Sequence, residues 1–234
     1  MIHCYGCGGS YGELIMAAFA EGCAGVHVKS AYPKYKGGTT VVWGLARGAP
    51  QLVEKAREDG EDWYYVDHGY FKRGHTTGYY RVTKNGHQQD WIRDCPPDRW
   101  GKLGTKLHPR RHGSQVIIVP PSASVQAVFG PFFDPPAGQL SKKDGKPFFE
   151  KFPDARVVYT YNSIAAVEAI VNGIPCVVTG QSGASPMASK SIDDLVLPAD
   201  LQHPWACSLA YGQFTLEEMR AGIAWNIVRT IKMT

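Results

Sequence analysis

The sequence predicts an α/β protein made of two small halves with parallel sheets and a cleft between them. Strand-like and helical segments alternate along the 234 residues, which is the order that parallel sheets require. The run QVIIVPP (115–121) is apolar throughout, as in a strand that is covered on both faces. A stretch rich in Pro and Gly, without periodicity, separates the two alternating regions.

The composition excludes several classes of protein. A hydrophobic content of 44% and an aromatic content of 12% are typical of a folded chain and not of a disordered one. The net charge of +4 favours an acidic ligand without indicating nucleic acid. No apolar run is long enough to span a membrane and no signal peptide is evident, so we expect a cytoplasmic protein. The pair Cys4 and Cys7 lacks the second pair that a zinc site needs, and no metal site is predicted.

The N-terminal half, residues 1–93, opens with a short strand, a glycine-rich turn and a helix. Glycines between a first strand and a first helix let a ligand or a neighbouring backbone come close. The spacing here fits neither a P-loop nor a dinucleotide fingerprint. We therefore expect Gly8, Gly9 and Ser10 to form one wall of the cleft.

The same half continues with further strands and a helix, predicted at 25–29, 39–43, 50–59 (the helix) and 63–71. Asp67 and His68 fall where the last of these strands reaches the cleft, and either could take a proton from an acceptor hydroxyl. An equal alternative is that Asp67 caps the backbone and His68 belongs to a satisfied turn. Lys72 and Arg73 follow in a loop that could meet phosphate.

The segment 94–113 is predicted to link the two halves. Its basic residues are Arg99, Lys102, Lys106, His108, Arg110, Arg111 and His112. A solvated linker is one interpretation, and a basic lip on the cleft that attracts phosphate is the other.

The second half, residues 114–234, carries polar groups that could bind a phosphate-bearing ligand. Ser122 and Ser124 follow the strand 115–121, and a short helix is expected to begin at Ser124 or near Lys146. A strand, a helix and a returning strand at 157–179 form a parallel βαβ unit, whose turn holds Asn162 and Ser163. Ser163 is predicted to cap this helix, and the first amides of the helix should favour an anion. Glu168 lies within the helix, where it binds a polar partner or, in an ordinary βαβ unit, merely faces solvent. Gln181 and Ser182 lie in a hydroxyl-rich loop after the second strand, which is either a flexible clamp over a ligand or an ordinary surface loop.

The pattern T-x-N-S-x-x-x-V-E-A-I-x-x-G-I-P-C-V-V at 160–178 resembles the donor-binding segment of GT-B glycosyltransferases, most closely the capsule-type sugar transferases. The resemblance implies two Rossmann-like halves. It also implies that Ser163 holds the diphosphate of a nucleotide sugar, that Glu168 holds a ribose or sugar hydroxyl, and that Ser122 and Ser124 line the phosphate pocket. Compact bacteriophage transferases that modify hydroxymethylated DNA bases are similar too.

These observations predict a metal-independent glycosyltransferase of the hexosyltransferase class, without a cofactor. It would move a sugar from a nucleotide-diphosphate donor, such as a UDP-sugar, to a hydroxyl acceptor, for example a hydroxymethylated base in phage DNA or another anionic polymer. The alternatives are an enzyme similar to nucleotide-sugar epimerases and a non-catalytic nucleotide-sugar binding protein. A capping box at Thr215 and Glu218 opens the closing helix, which could pack locally or cross back to the first half through Trp225.

Overall fold

The chain forms two compact units in a computed structural model that describes residues 1–130, 133–141 and 148–231. The first unit comprises Met1–His87 with Tyr211–Thr234, and the second comprises Gln88–Ala210. In chain order the elements are β1 (Ile2–Tyr5), α1 (Ser10–Gly22), β2 (Val26–Val28), β3 (Thr39–Trp43), α2 (Ala49–Glu58), β4 (Trp63–His68), β5 (Tyr80–Lys84), α3 (Asp98–Leu103), β6 (Gln115–Val119), α4 (Ala123–Phe129), β7 (Gln139–Leu140), α5 (Phe148–Lys151), β8 (Ala155–Thr160), α6 (Ala165–Val171), β9 (Cys176–Val178), α7 (Ala199–Ala210), β10 (Gln213–Phe214), α8 (Leu216–Arg220) and α9 (Ile223–Val228).

The first unit is built on a sheet with the strand order β10-β5-β4-β3-β1-β2. Strands β1 to β4 are parallel, and β5 and β10 add an antiparallel edge. Its core includes Tyr5, Val42, Leu52 and Tyr65, which come from β1, β3, α2 and β4. The carboxyl ends of four parallel strands therefore lie at one edge of this sheet, where α/β proteins bind their ligands.

The segment around Lys84-Asn85-Gly86 does not form a hairpin with residues 87–92, which are irregular. Asn85 has a positive φ of 51°, and its side chain accepts a hydrogen bond from the Trp63 backbone at 2.9 Å. The Asn-Gly turn thus ends β5, and β5 pairs with β4 and β10 instead.

The C-terminal segment packs on the first unit, whereas the sequence analysis assigned residues 114–234 to one half. The capping box is present, with Thr215 accepting from the Glu218 backbone and Glu218 accepting from the Thr215 backbone. Gly222 (φ 75°) divides the expected closing helix into α8 and α9. The Trp225 ring lies 5.2 Å from the Tyr64 ring, so the alternative in which this segment crosses back through Trp225 is the one observed.

The second unit contains an all-parallel sheet with the order β7-β6-β8-β9. The predicted βαβ unit is present as β8, α6 and β9, and α4 is the short helix expected near Ser124. The alternative start of a helix near Lys146 lies outside the described residues. With parallel sheets in both units, the predicted α/β fold class of two Rossmann-like halves is confirmed, and the cleft between them stays a prediction.

The basic segment 94–113 is docked on the second unit along part of its length. Trp100 and Leu103 of α3 are buried, and the Arg99 Nε donates to the Ala210 carbonyl at 3.1 Å. The His108 amide donates to the Val171 carbonyl at 2.9 Å. Helix α7 was not predicted, because prolines at 198 and 204 read as helix breaks. Among the described residues, no helix is long and apolar enough to cross a membrane.

Candidate functional site

Aromatic side chains surround His68 at the carboxyl edge of the first sheet. The Tyr11 ring stacks on the imidazole at 5.9 Å between centroids and 26° between planes. The Trp43 ring meets it edge-on at 5.5 Å, and the Tyr80 ring lies at 6.4 Å. Trp43 ends β3, His68 ends β4, Tyr80 begins the antiparallel β5, and Tyr11 lies in the first turn of α1. The parallel topology thus brings together residues that are far apart in sequence.

The His68 imidazole has the properties of a proton acceptor. Burial lowers its pKa, and the nearby Arg81, Arg73 and His75 charges lower it further against the opposing effect of Asp67. The ring is therefore neutral at pH 7. Within the part of the chain that the structure describes, no hydrogen bond engages its nitrogens. A neutral, half-buried imidazole with an available nitrogen is suited to general-base catalysis.

Asp67, the other predicted base, is held by fixed partners. The Tyr65 hydroxyl donates to Oδ2 at 2.7 Å, and the Arg81 Nη2 donates to the same oxygen at 3.0 Å. The His68 amide donates to Oδ1 at 2.7 Å. Burial by itself would raise the pKa of this carboxyl, but the Arg81 charge and these hydrogen bonds lower it overall. A carboxylate so engaged is a weak proton acceptor, so the geometry favours the alternative in which Asp67 has a structural role.

Arg81 is the buried cation of this region, with 3% of its surface exposed. In addition to the bond to Asp67, the Arg81 Nη1 donates to the His68 carbonyl at 2.6 Å. Arg81 thus fixes the end of β4, where both predicted bases lie. Its guanidinium also lies 5.6 Å from the Tyr65 ring centroid. Arg81 was not predicted as a site residue, because a single charged residue within a strand-like run usually points to solvent.

The glycine-rich turn lies at the end of β1, as predicted. A Cβ on Gly8, which has φ of +73°, would lie 2.3 Å from the Ala31 Cα, so only glycine fits there. The Gly8 amide donates to Glu13 Oε1 at 2.8 Å. A pocket of about 520 Å³ is lined by Gly8, Ser10, Glu13, Lys29, Ser30 and Ala31. Gly8 and Ser10 therefore border a pocket, while Gly9 caps α1 and faces Arg47.

The predicted phosphate-binding cations Lys72 and Arg73 are both exposed in the loop between β4 and β5. Lys72 has a positive φ of 49°, and its carbonyl accepts from the Tyr79 amide at 3.2 Å. The Tyr11 hydroxyl donates to the Gly74 carbonyl at 3.0 Å and also bonds the His75 carbonyl. Tyr11 thereby ties this loop to α1 beside His68.

Ser122, Ser124 and Ser163 follow strands at the carboxyl edge of the second sheet, and the hydroxyls of Ser122 and Ser163 share one geometry. The Ser122 hydroxyl accepts from the Val125 amide at 3.3 Å, and the Ser163 hydroxyl accepts from the Ala165 amide at 3.2 Å. A hydroxyl that accepts an N–H bond keeps its own proton available for an oxyanion. Ser124 is exposed in the first turn of α4.

The turn after β8 differs from the expectation in one respect. Helix α6 begins at Ala165 with Ile164 at the N-cap, rather than with Ser163 as its cap. The Ser163 amide donates to the Thr160 hydroxyl at 3.3 Å. Two amides that were expected to face an anion, those of Ser163 and Ala165, are therefore already hydrogen-bonded, and the serine hydroxyls remain the donors for a ligand. Glu168 is half-buried in the first turn of α6.

Gln88, which the sequence analysis did not single out, joins the two loops at this edge. Its Nε2 donates to the Asn162 carbonyl at 2.6 Å, and its Oε1 accepts from the Gly183 amide at 3.0 Å. Asn162 is 6% exposed and Ser182 is fully buried, where its hydroxyl accepts from the Ala184 amide. The loop after β9 is thus tied down and not a free clamp. Gln181 is half-buried beside it.

Comparisons with known proteins find similarities to solved structures, including the following two. The chain resembles the Thermosulfurimonas dismutans KpsC beta Kdo 2,7 transferase, with a TM-score of 0.47 and 10% identity over 96% of this chain and 99% of that one. It also resembles the beta Kdo 2,4 transferase of the same organism's KpsC, with a TM-score of 0.42 and 9% identity over 88% and 89%. No protein-family model and no curated protein sequence matches the chain. Both TM-scores are below 0.5, so function is inferred from the chain's own residues.

Proposed function

We propose that the protein is a glycosyltransferase that moves a sugar from a nucleotide-diphosphate sugar to an acceptor hydroxyl. The donor would bind at the carboxyl edge of β6, β8 and β9, and the acceptor at the carboxyl edge of β1, β3 and β4. The observation that carries the proposal is the neutral His68 imidazole, held among Tyr11, Trp43 and Tyr80 where β4 ends.

The proposed reaction transfers one proton and one glycosyl group. A nitrogen of the His68 imidazole takes the proton of the acceptor hydroxyl, whose oxygen attacks the anomeric carbon. The bond from that carbon to the diphosphate oxygen breaks, and the nucleoside diphosphate leaves with the electron pair. Hydroxyl protons of Ser122 and Ser163 would stabilise the negative charge on the leaving phosphates. Glu168, Asn162, Ser124, Gln181 and Ser182 are retained as proposed donor contacts.

The charges of the first unit support an anionic acceptor. Lys72 and Arg73 are exposed beside His68, and Arg47 lies at the glycine-rich turn. The acceptor proposed here is a hydroxymethylated base in phage DNA, whose hydroxyl would approach His68 while its phosphates meet these cations. The route is proposed to need no metal, which unchanged turnover in the presence of a chelator would support.

Calorimetric titration with nucleoside diphosphates and nucleotide sugars, UDP-sugars among them, tests the donor site. We expect one diphosphate to bind, and we expect Ser163→Ala to weaken it by about 10- to 100-fold, because a hydrogen bond to a charged group contributes about 1.5–3 kcal/mol. Glu168→Ala should lower the affinity for the nucleotide sugar that contains this diphosphate. The control is Ser191→Ala, because Ser191 is far from the proposed donor site. The adjacent Ile192 carbonyl accepts a hydrogen bond from Arg156 near the amino end of β8, at the opposite edge of the sheet. If Ser163→Ala binds the diphosphate as tightly as wild type, the proposed donor site is wrong.

Turnover tests the base. We expect His68→Asn to lower kcat by about 10²- to 10⁴-fold, the usual contribution of a general base, and to leave the affinity for the nucleotide unchanged. A protein that binds the nucleotide sugar without any turnover would instead be a sequestering protein, and interconversion of the sugar without transfer would indicate an epimerase-like enzyme.

A further inference from the structure

Unpaired positive charge is concentrated around the β2–β3 loop of the first unit. Residues 22–53 contain Lys29, Lys34, Lys36 and Arg47 and no Asp or Glu. All four side chains are exposed. None of them forms an ion pair with any residue that the structure describes. Such a surface attracts a ligand that carries several negative charges.

The loop that carries Lys29, Lys34 and Lys36 and the side chain of Arg47 both contact the glycine-rich turn. The loop touches the glycine-rich turn, because the Cβ position of Gly8 is 2.3 Å from the Ala31 Cα. On the other side of the turn, the Arg47 Nη1 donates to the Cys7 carbonyl at 3.4 Å. The pocket of about 520 Å³ lies between the β2–β3 loop and the glycine-rich turn, and Lys29, Ser10 and Ser30 contribute to its wall. This pocket therefore offers an ammonium group and two hydroxyls to one anionic group.

The acidic residue of the pocket does not oppose an anion with a bare charge. Glu13 Oε1 accepts from the Gly8 amide at 2.8 Å, and Oε2 pairs with the His27 Nε2 at 2.7 Å. Both carboxylate oxygens thus face partners within the protein. The remaining polar groups of the wall are those of Ser10, Lys29 and Ser30, which can all donate hydrogen bonds.

The loop is held in place and presents an aromatic ring. The Lys36 amide donates to the Tyr5 hydroxyl at 3.1 Å, and the Gly37 carbonyl hydrogen-bonds the His3 Nδ1 at 2.8 Å. Between Lys29 and Lys34, Tyr32 is 75% exposed. An exposed Tyr among lysines on an anchored loop is an arrangement that binds single-stranded nucleic acid, in which cations follow the phosphates and a ring stacks on a base.

We infer that this surface binds the phosphodiester backbone of a single-stranded nucleic acid. One phosphate would lie in the pocket beside Lys29, further phosphates would meet Lys34, Lys36 and Arg47, and a base would stack on Tyr32. The binding itself is independent of catalysis. Only the role of the nucleic acid as the sugar acceptor rests on the proposed function. In that role, the base to be modified would lie near the carboxyl edge of the sheet that holds His68.

Fluorescence anisotropy of the full chain with a labelled oligodeoxynucleotide of about 12 nucleotides tests this inference. We expect Lys34→Ser/Lys36→Ser to reduce the slope of log K against log salt by about 1.4, since each phosphate contact of a single strand contributes about 0.7. The matched control is Arg220→Ser/Arg229→Ser, which removes the same charge from two exposed arginines at the ends of α8 and α9. A control that weakens binding as much as the test variant would overturn the inference.

Tyr32 separates base stacking from attraction between charges. We expect Tyr32→Ala to lower the affinity for the oligonucleotide by about 10- to 100-fold. Tyr32→Phe should keep the wild-type affinity, because the ring and not the hydroxyl stacks on the base. Equal binding of the oligonucleotide by wild type and Tyr32→Ala would overturn the inference, as would tighter binding of an acidic polysaccharide than of the oligonucleotide. Nucleotide-sugar binding, read in Ser163→Ala, reports on the proposed function separately.

Discussion

Replacing Asp67 by Asn distinguishes a structural carboxylate from a catalytic one. In the folded chain Asp67 neutralises Arg81, whose side chain is 4% exposed and lies 3.0 Å away. The substitution keeps the shape and leaves the guanidinium without its counter-charge. Removing one partner of a buried pair costs about 3–5 kcal/mol, and we expect the lower end, about 3 kcal/mol, because solvent reaches the 26% of the Asp67 side chain that is exposed. The melting temperature should fall by about 6–12 °C.

Urea and thermal unfolding followed by circular dichroism measure this loss, with His68→Asn as the matched control at the neighbouring position. His68 forms no ion pair with any residue that the structure describes, so we expect the free energy of unfolding of its variant to be close to that of wild type. The double variant Asp67→Asn/Arg81→Met should recover part of the stability, because it removes the uncompensated charge. If Asp67→Asn is as stable as wild type and yet loses turnover, Asp67 is the base and the structural interpretation is wrong.

The pH dependence of Asp67 supplies an independent measurement. Its pKa is lower in the folded chain than in the unfolded chain, where a carboxyl of this type titrates near about 3.9. The stabilisation is therefore present above that value and is lost as the pH falls through the lower folded pKa. We expect Asp67→Asn to lack this acid-induced loss of unfolding free energy.

Three further predictions concern other parts of the fold. Burial lowers the pKa of His87 to about 3, so the free energy of unfolding should fall by about 1.4 kcal/mol per pH unit below about pH 6.5, and His87→Gln should flatten this slope in urea titrations. Gly22→Ala would place a Cβ 1.8 Å from the Met219 carbonyl oxygen, so we expect a melting temperature clearly below that of wild type; an unchanged value would contradict the packing of α8 on α1. Gln88→Ala removes the hydrogen bonds that Gln88 forms with buried backbone groups of two loops, at about 1–3 kcal/mol for each bond, and amide hydrogen exchange should increase in both loops.

Local patterns predicted the elements that carry their own signals. The alternation of strands and helices predicted the parallel strands of both sheets, because each short segment carries the apolar pattern of its own environment. The unit of β8, α6 and β9 follows from an apolar strand, a helical face and a Gly-x-Pro stop within 23 residues, 157–179. The capping box at Thr215 needs only residues three positions apart. His68 and Ser163 were identified by their positions at strand ends.

The tertiary structure decided what depends on residues distant in sequence. The pairing of Asp67 with Arg81, the stacking of Tyr11 on His68 and the bridging of two loops by Gln88 join different elements, and no local pattern specifies such partners. The same holds for the C-terminal helices, whose amphipathic pattern shows an apolar face and not the surface that covers it. The sequence by itself determined the fold class, the strand ends and the candidate residues on them. Only packing decided which of Asp67 and His68 is engaged by partners and which remains available to a substrate, because burial and charge pairing set the protonation state of each side chain.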